Sequence, residues 1–361
     1  MTARTALPTV LVTGGAGFIG AALSRRLADR AGRWIALDNL HPQVHPGGER
    51  PLALHPGVEL VVGDVTQRST WESVLDEVRP DIVIHLAAET GTAQSLDEAS
   101  RHAEVNVTGT TRMLDAFSRA GFVPARILLS SSRAVYGEGR WQRADGAVFS
   151  PGQRSHAQLE AGDWDFDGAR PLASAADATP PAPTSVYGAT KLAQENILTA
   201  WARAKGAEPV VLRLQNVYGP GQSLINSYTG IVSLFSQLAE AGRSIPVYED
   251  GAITRDFVLI DDVVSAFEAA VFAPSAVVDG ATFDIGSGTP TTVLELASAI
   301  AAYHGAPGPH ITGQFRDGDV RSASCDISAT VVRLGWRPQH TLVSGIAMLQ
   351  EWMAGQSDRI R

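Results

Sequence analysis

The chain reads as an α/β protein: a doubly wound parallel sheet of the Rossmann kind, with a smaller, discontinuous lobe towards the C-terminus. Three observations predict this. Short strands of near-continuous apolar residues alternate with helical patterns through residues 1–215, as expected of a parallel sheet covered on both faces. A glycine-rich turn stands directly between the first strand and the first helix. At 361 residues, with 44% hydrophobic and 19% charged side chains, the chain can also bury a core of the size this architecture needs.

Val10-Leu11-Val12 forms the first strand and runs into Thr13-Gly14-Gly15-Ala16-Gly17-Phe18-Ile19-Gly20. Ala22, Leu23, Leu27 and Ala28 then recur at helical spacing, and the helix ends near Gly32. Trp34 to Leu37 is a second strand that stops at Asp38, and Val58 to Val62 a third. A helix over Thr70 to Val78, a strand at Ile82 to Ile84, a long helix over Ala99 to Ala120 and a strand at Ile127 to Leu129 complete the first half. Residues 138–185, rich in Pro, Gly, Ala and Asp, break the alternation and are expected to form an ordered flap held by Trp141, Phe149, Trp164 and Phe166. Helix resumes from Tyr187 to about Ala204, followed by the strand Val210 to Leu212. Residues 1–215 are thus read as a nucleotide domain carrying the 138–185 insertion. Residues 216–361 are read mainly as a substrate lobe, with segments near 255–275 returning to the first domain. Helices are expected there at Gly230 to Ala241, Asp261 to Phe272, Thr292 to Tyr303 and Leu342 to Met353, and strands at Ile245 to Tyr248, Phe257 to Ile260 and Thr282 to Ile285.

The formal net charge of -9 argues against a nucleic-acid partner or an anionic membrane surface, so an anionic ligand must be met by local arginines and helix N-termini. A single cysteine, Cys325, excludes an intramolecular disulfide and a cysteine-cluster metal site, and no metal centre is expected. No apolar run approaches membrane-spanning length, and a cytoplasmic location is the expectation.

The glycine turn gives the first functional reading. Gly14, Gly17 and Gly20 follow a strand and open a helix, where backbone N–H groups, with Phe18 and Ile19 in the same turn, approach a pyrophosphate. Asp38 closes the second strand 18 residues beyond Gly20, followed by Asn39, and its carboxylate suits the two ribose hydroxyls of an adenosine. A 2′-phosphate would be repelled there, so the cofactor expected is NAD. Asp64-Val65 ends the third strand and Leu86-Ala87-Ala88 the fourth, one suited to an adenine amine and the other leaving room for a dinucleotide.

Tyr187 and Lys191 lie four residues apart, one helical turn from each other. Half-ionising a tyrosine at pH 7 requires a shift of roughly 3 units, or roughly 4 kcal/mol. A neighbouring Lys⁺ favours the phenolate, which can then serve as a base towards an alcohol. Ser130, Ser131 and Ser132 end a central strand, where open α/β sheets bind their ligands.

The motifs TGGAGFIG, Asp38, GDV, HLAA, NVTGT from Asn106, SSSRAVYG and YGATK resemble the extended short-chain dehydrogenase/reductase family, and within it the nucleotide-sugar epimerases. NVYGP from Asn216, TRDFV, GSG, RDGD and LGW in the second half resemble it as well. The runs SSRAVYGEG and NVYGPGQSL are most similar to members of the rhamnose 4-epimerase type. The resemblance implies that Ser132, Tyr187 and Lys191 are catalytic, and that Asn106 and Ser130 join the cofactor site. It also implies that Arg133, Asn216, Arg255 and Arg316 meet a nucleoside-diphosphate sugar, with the run from Gln222 to Tyr228 near its base. The resemblance also implies that dehydratases and decarboxylases of the family carry an acid just after the serine; this chain has Arg133 and Ala134, which argues against dehydration and leaves epimerisation or reduction, a 4-epimerase working through a transient 4-keto sugar being the leading expectation. A 4-ketoreductase using NAD(P)H and a non-catalytic NAD-sensing regulator are the alternatives. A homodimer built from the helix around Val107 to Phe117 and the helix after Tyr187 is implied by the same resemblance.

Overall fold

A computed structural model describes residues 7–224 and 230–360, the side chains of 357–360 excepted. The first element is a seven-stranded, wholly parallel sheet formed by β1 (Thr9–Thr13), β2 (Arg33–Asp38), β3 (Glu59–Val62), β4 (Ile82–His85), β5 (Arg126–Ser132), β6 (Glu208–Leu214) and β8 (Ala281–Ile285). Their spatial order is β8-β6-β5-β4-β1-β2-β3, so the order reverses at β1 and β4. The crevice at that reversal is where open sheets of this kind hold ligands.

Both faces are covered because the central strands are apolar on both sides. On one face Val10, Val12 and Leu128 pack with Leu23 and Leu27 of α1 (Phe18–Leu27) and with Val263 and Phe267 of α6 (Ile260–Phe272). On the other, Leu11, Ile127 and Leu129 meet Trp71 of α2 (Arg68–Glu77), Phe117 of α3 (Gly109–Arg119) and Leu198 of α4 (Val186–Lys205). Burying a large apolar side chain contributes about 1.5–3 kcal/mol, so these two layers supply most of what fixes the strand ends. The long helix expected over Ala99 to Ala120 is interrupted: Ala99–Ala103 passes through a π-turn at Glu104–Thr108 before α3 begins. Periodicity does not reveal one extra residue in a turn.

The C-terminal lobe has its own core, with α5 (Ile231–Glu240), α7 (Val293–His304) and α8 (Leu342–Ile360) around Phe235, Phe257, Leu296 and Leu349. β7 (Thr254–Leu259) pairs with Asn216–Tyr218 in a separate small sheet. Within the 255–275 stretch α6 returns to cover the large sheet, and beyond it β8 extends that sheet next to β6.

The 138–185 insertion is ordered. Arg140–Gln142 is the middle strand between Val148–Phe149 and Arg170–Leu172, and the Trp141 and Phe166 rings stack edge-on at 4.8 Å. Ion pairs tie it to the C-terminal lobe: Arg154 contacts Glu249 at 2.9 Å, both buried, and the buried Arg321 guanidinium contacts the exposed Asp165 at 2.9 Å. Among the described residues no helix is long and apolar enough to cross a membrane.

Candidate active site

A cleft of about 610 Å³ runs along the C-terminal ends of the strands. Gly14, Gly17, Phe18, Ile19 and Gly20 line one wall with Asp38, Asn39, Asp64 and Val65; Leu86, Ala87, Ala88 and Ser130 line the next stretch; Ser132, Arg133, Tyr187, Lys191 and Asn216 line the far end. Eighteen of the residues singled out from the sequence are therefore drawn from separate strands and turns into one concavity.

The glycine turn fits a dinucleotide for reasons visible in the backbone. Gly14 has φ +65°, and a Cβ there would lie 2.8 Å from the Ala87 nitrogen, so only glycine lets β1 and β4 end this close together. A Cβ on Gly20 would meet the Gly15 oxygen at 2.6 Å. Helix α1 starts at Gly17 with no side chain capping it, which leaves its first N–H groups and the positive end of its dipole for an anion. Asp38 accepts from Ala16 N at 3.0 Å and from Leu40 N at 2.9 Å, so the carboxylate is fixed at the bottom of the adenosine end. An acidic group held there repels a 2′-phosphate and leaves lone pairs for ribose hydroxyls. These residues fit NAD.

At the other end the sheet and α4 present three groups together. Ser132 caps the short turn Arg133–Tyr136 by accepting from Ala134 N at 3.1 Å. Ser185 caps α4 by accepting from Gly188 N at 3.0 Å, which places Tyr187 in the first turn. Burial raises the Tyr187 pKa, whereas the Ser132 hydroxyl and the Arg133 charge lower it. The neighbour expected to acidify the phenol was Lys191; the protein instead sets Arg133 against it. Burial lowers the Lys191 pKa to about 7 and the Glu195 carboxylate one turn on opposes that. Glu195 is itself anchored, taking Arg213 Nε at 3.0 Å and Nη2 at 2.7 Å and the Ser131 hydroxyl. Arg133 donates from Nε to Asn216 Oδ1 at 2.9 Å, which joins two of the residues expected to meet the substrate. Its pKa is lowered to about 10 by burial first and then by Arg255.

Three expected residues stand elsewhere. Asn106 is fully buried behind the cleft, accepting from Glu89 N at 2.8 Å and donating to Glu89 O at 3.0 Å and Thr190 Oγ1 at 2.9 Å. Its amide is spent on tying the loop after β4 to α4, so it stands behind the cleft lining and holds those two elements together. Arg255 turns inward to Thr254 O, Val320 O and Asp319 Oδ1, and does not line the cleft. Arg316 is exposed over the Tyr248 ring at 5.1 Å and also lies off the cleft. Gln222 and Ser223 line the cleft, while Ile225 to Tyr228 lie outside the described residues.

Other residues reach the cleft with no motif to announce them. Gln215, 5% exposed, lines the wall with neither amide atom bonded. His41, Gln43, Glu89 and Arg101 line the adenosine end. Their spacing in sequence carries no periodicity that would have grouped them.

The comparisons with known proteins agree with this geometry. A family model described as "NAD dependent epimerase/dehydratase family" matches residues 10–286. A dTDP-L-rhamnose 4-epimerase of Burkholderia thailandensis is 59% identical over 97% of this chain and 96% of its own length. A UDP-glucose 4-epimerase of Mycolicibacterium smegmatis is 32% identical over 96% and 99%. Among solved structures, UDP-glucose 4-epimerase of Thermotoga maritima with UDP-glucose superposes with a TM-score of 0.80 at 28% identity, covering 97% of this chain and 99% of that one. UDP-glucose 4-epimerase of Thermus thermophilus in complex with NAD gives 0.76 at 27% identity, covering 96% and 99%.

Proposed function

The chain belongs to the NAD-dependent epimerase/dehydratase family, and from that premise we propose that it inverts C4 of a dTDP-linked 6-deoxyhexose, with Tyr187 as the proton-moving group. It is an NAD-dependent nucleotide-sugar 4-epimerase. The deoxyhexose and the dTDP carrier follow the 59% identical relative, whose name specifies dTDP-L-rhamnose. The observation that carries the reaction type is Arg133 beside Ser132 and Tyr187 in one cleft, where relatives that eliminate water place an acid.

In this reading the phenolate oxygen of Tyr187 takes the proton of the C4 hydroxyl, and Ser132 Oγ hydrogen-bonds the same hydroxyl. Bound NAD supplies the hydride acceptor and donor at C4. The Arg133 charge and the Ser132 hydrogen bond favour the ionised form of the phenol against its burial. Asn216 holds the Arg133 guanidinium in place. A 6-deoxyhexose has no hydroxyl on C6 to expel, and Arg133 and Ala134 supply no carboxylate after Ser132 to take a proton from C5, so in this reading the 4-keto sugar would be held for return of the hydride to C4. The helix pair around residues 107–117 and 187–205 is the proposed homodimer contact, and the one buried cysteine suits the cytoplasm.

The test is to incubate the purified protein with dTDP-L-rhamnose, adding no cofactor, and follow H4 by proton NMR. The C4 epimer should accumulate to equilibrium with flat absorbance at 340 nm, and Tyr187→Phe should lower kcat by about 10²–10⁴-fold. Consumption of one NADH per sugar, or full activity in Tyr187→Phe, would defeat the reading.

A further inference from the structure

The loops after β2 and β4 both line the cleft near Asp38, and polar side chains join them. Arg101, in the helical turn Ala99–Ala103, donates from Nη2 to Glu89 Oε1 at 2.9 Å and to Gln43 Oε1 at 3.2 Å, with His41 Nε2 at 3.4 Å. Its Nη1 donates to Glu98 Oε2 at 2.8 Å. Gln43 Nε2 reaches Gln94 Oε1 at 3.4 Å, and Gln94 Nε2 reaches Glu98 Oε1 at 3.0 Å. His41 and Gln43 come from the loop after β2, Glu89 from the loop after β4, and all three line the cleft together with Arg101.

Two carboxylates engage the guanidinium, so Arg101 is not a spare cation waiting for a diphosphate. What its planar fork does is connect. An isolated exposed ion pair contributes little, but here one cation holds acceptors on both loops and is about two-thirds covered. Resting on the reading that NAD is recycled within each turnover, we propose that Arg101 is a cofactor-retaining residue. With Glu89, His41 and Gln43 it straps the two loops over the adenosine end and slows escape of NAD and NADH. A recycling epimerase needs this more than a dehydrogenase does, because NADH lost before the hydride returns leaves a spent protein and a free 4-keto sugar.

The test uses full-length protein loaded with NAD, then desalted, with bound cofactor and its dissociation rate measured in the absence of sugar. Arg101→Met should release NAD about ten-fold faster or more, leave desalted protein partly empty, and regain activity when NAD is added back. Gln43→Ala, which cuts one of the two contacts from Arg101 to the loop after β2 and leaves those to His41 and Glu89, should release it faster by a smaller factor. If Arg101→Met fails to regain activity with added NAD, the Gln43→Ala rate decides. Wild-type dissociation rates in both variants would overturn the proposal. Cofactor release is read without sugar turnover, so a wrong substrate assignment leaves this outcome untouched.

Discussion

Among single residues, Arg133 is the side chain whose chemistry most changes the expected picture. Its charge lowers the Tyr187 pKa against burial, the larger effect. Arg133→Met removes that charge, so the phenol ionises only at higher pH; the acid limb of the kcat profile should move in the alkaline direction. An unmoved limb with lowered kcat would make Arg133 a purely positional group. His85 gives a stability prediction. It is wholly buried between Thr13 Oγ1 at 2.7 Å and Thr110 Oγ1 at 2.9 Å, and desolvation, then the Lys191 charge, lowers its pKa to about 3. The unfolded chain binds a proton below about pH 6.5 that the folded chain refuses, so this contribution is full above that pH and is lost on acidification. Between pH 6.5 and 5 the loss is about 2 kcal/mol. Glu138 and Asp284, each pushed up to about 7 by burial, have the opposite slope over much of this window. The difference between wild type and His85→Asn in urea unfolding at the two pH values isolates the histidine, and an identical pH dependence would contradict the assignment.

At the scale of elements, the site depends on α4 lying hard against the turn that follows β5. A Cβ on Gly188 would sit 2.4 Å from the Ala134 oxygen, a backbone atom that cannot step aside. Gly188→Ala should therefore displace Tyr187 from Ser132 and lower kcat by about 10²-fold with the fold intact by circular dichroism; wild-type turnover would contradict the close packing. The same elements show why the sequence was legible here. Glycine positions, the strand-ending Asp38 and the Tyr187–Lys191 spacing are local patterns, and local patterns fix what a strand end or a helix turn presents. For Asn106, Arg255 and Arg316 the sequence offers only a position within a motif. Whether an amide or guanidinium faces a ligand or a neighbour depends on long-range partners such as Glu89, Thr190 and Asp319. Arg101 escaped attention for the same reason, its partners lying 58 to 60 residues away in two cases.

On the scale of the molecule, the alternation of strands and helices was enough to foresee the parallel sheet, but not that β8, near the end of the chain, supplies its edge next to β6. Nor was the fixing of the insertion legible, since it rests on charges far apart in sequence. Arg154 is 2% exposed and answers both Glu138 and Glu249. Arg154→Met leaves Glu138 without its cation and Glu249 with Arg321 alone, and should cost about 3–5 kcal/mol in denaturant unfolding. A loss under about 1 kcal/mol would mean that the insertion is not anchored there. Because sheet, lobe and insertion enclose one cleft, the account makes a claim about the whole cycle: the hydride that leaves C4 comes back to C4 of the same sugar. The direct measurement is mass spectrometry and NMR of the product from dTDP-L-rhamnose carrying deuterium at C4, with no added cofactor. The account predicts the C4 epimer with its deuterium retained at C4; loss of the label, or its transfer into free NADH, would contradict it.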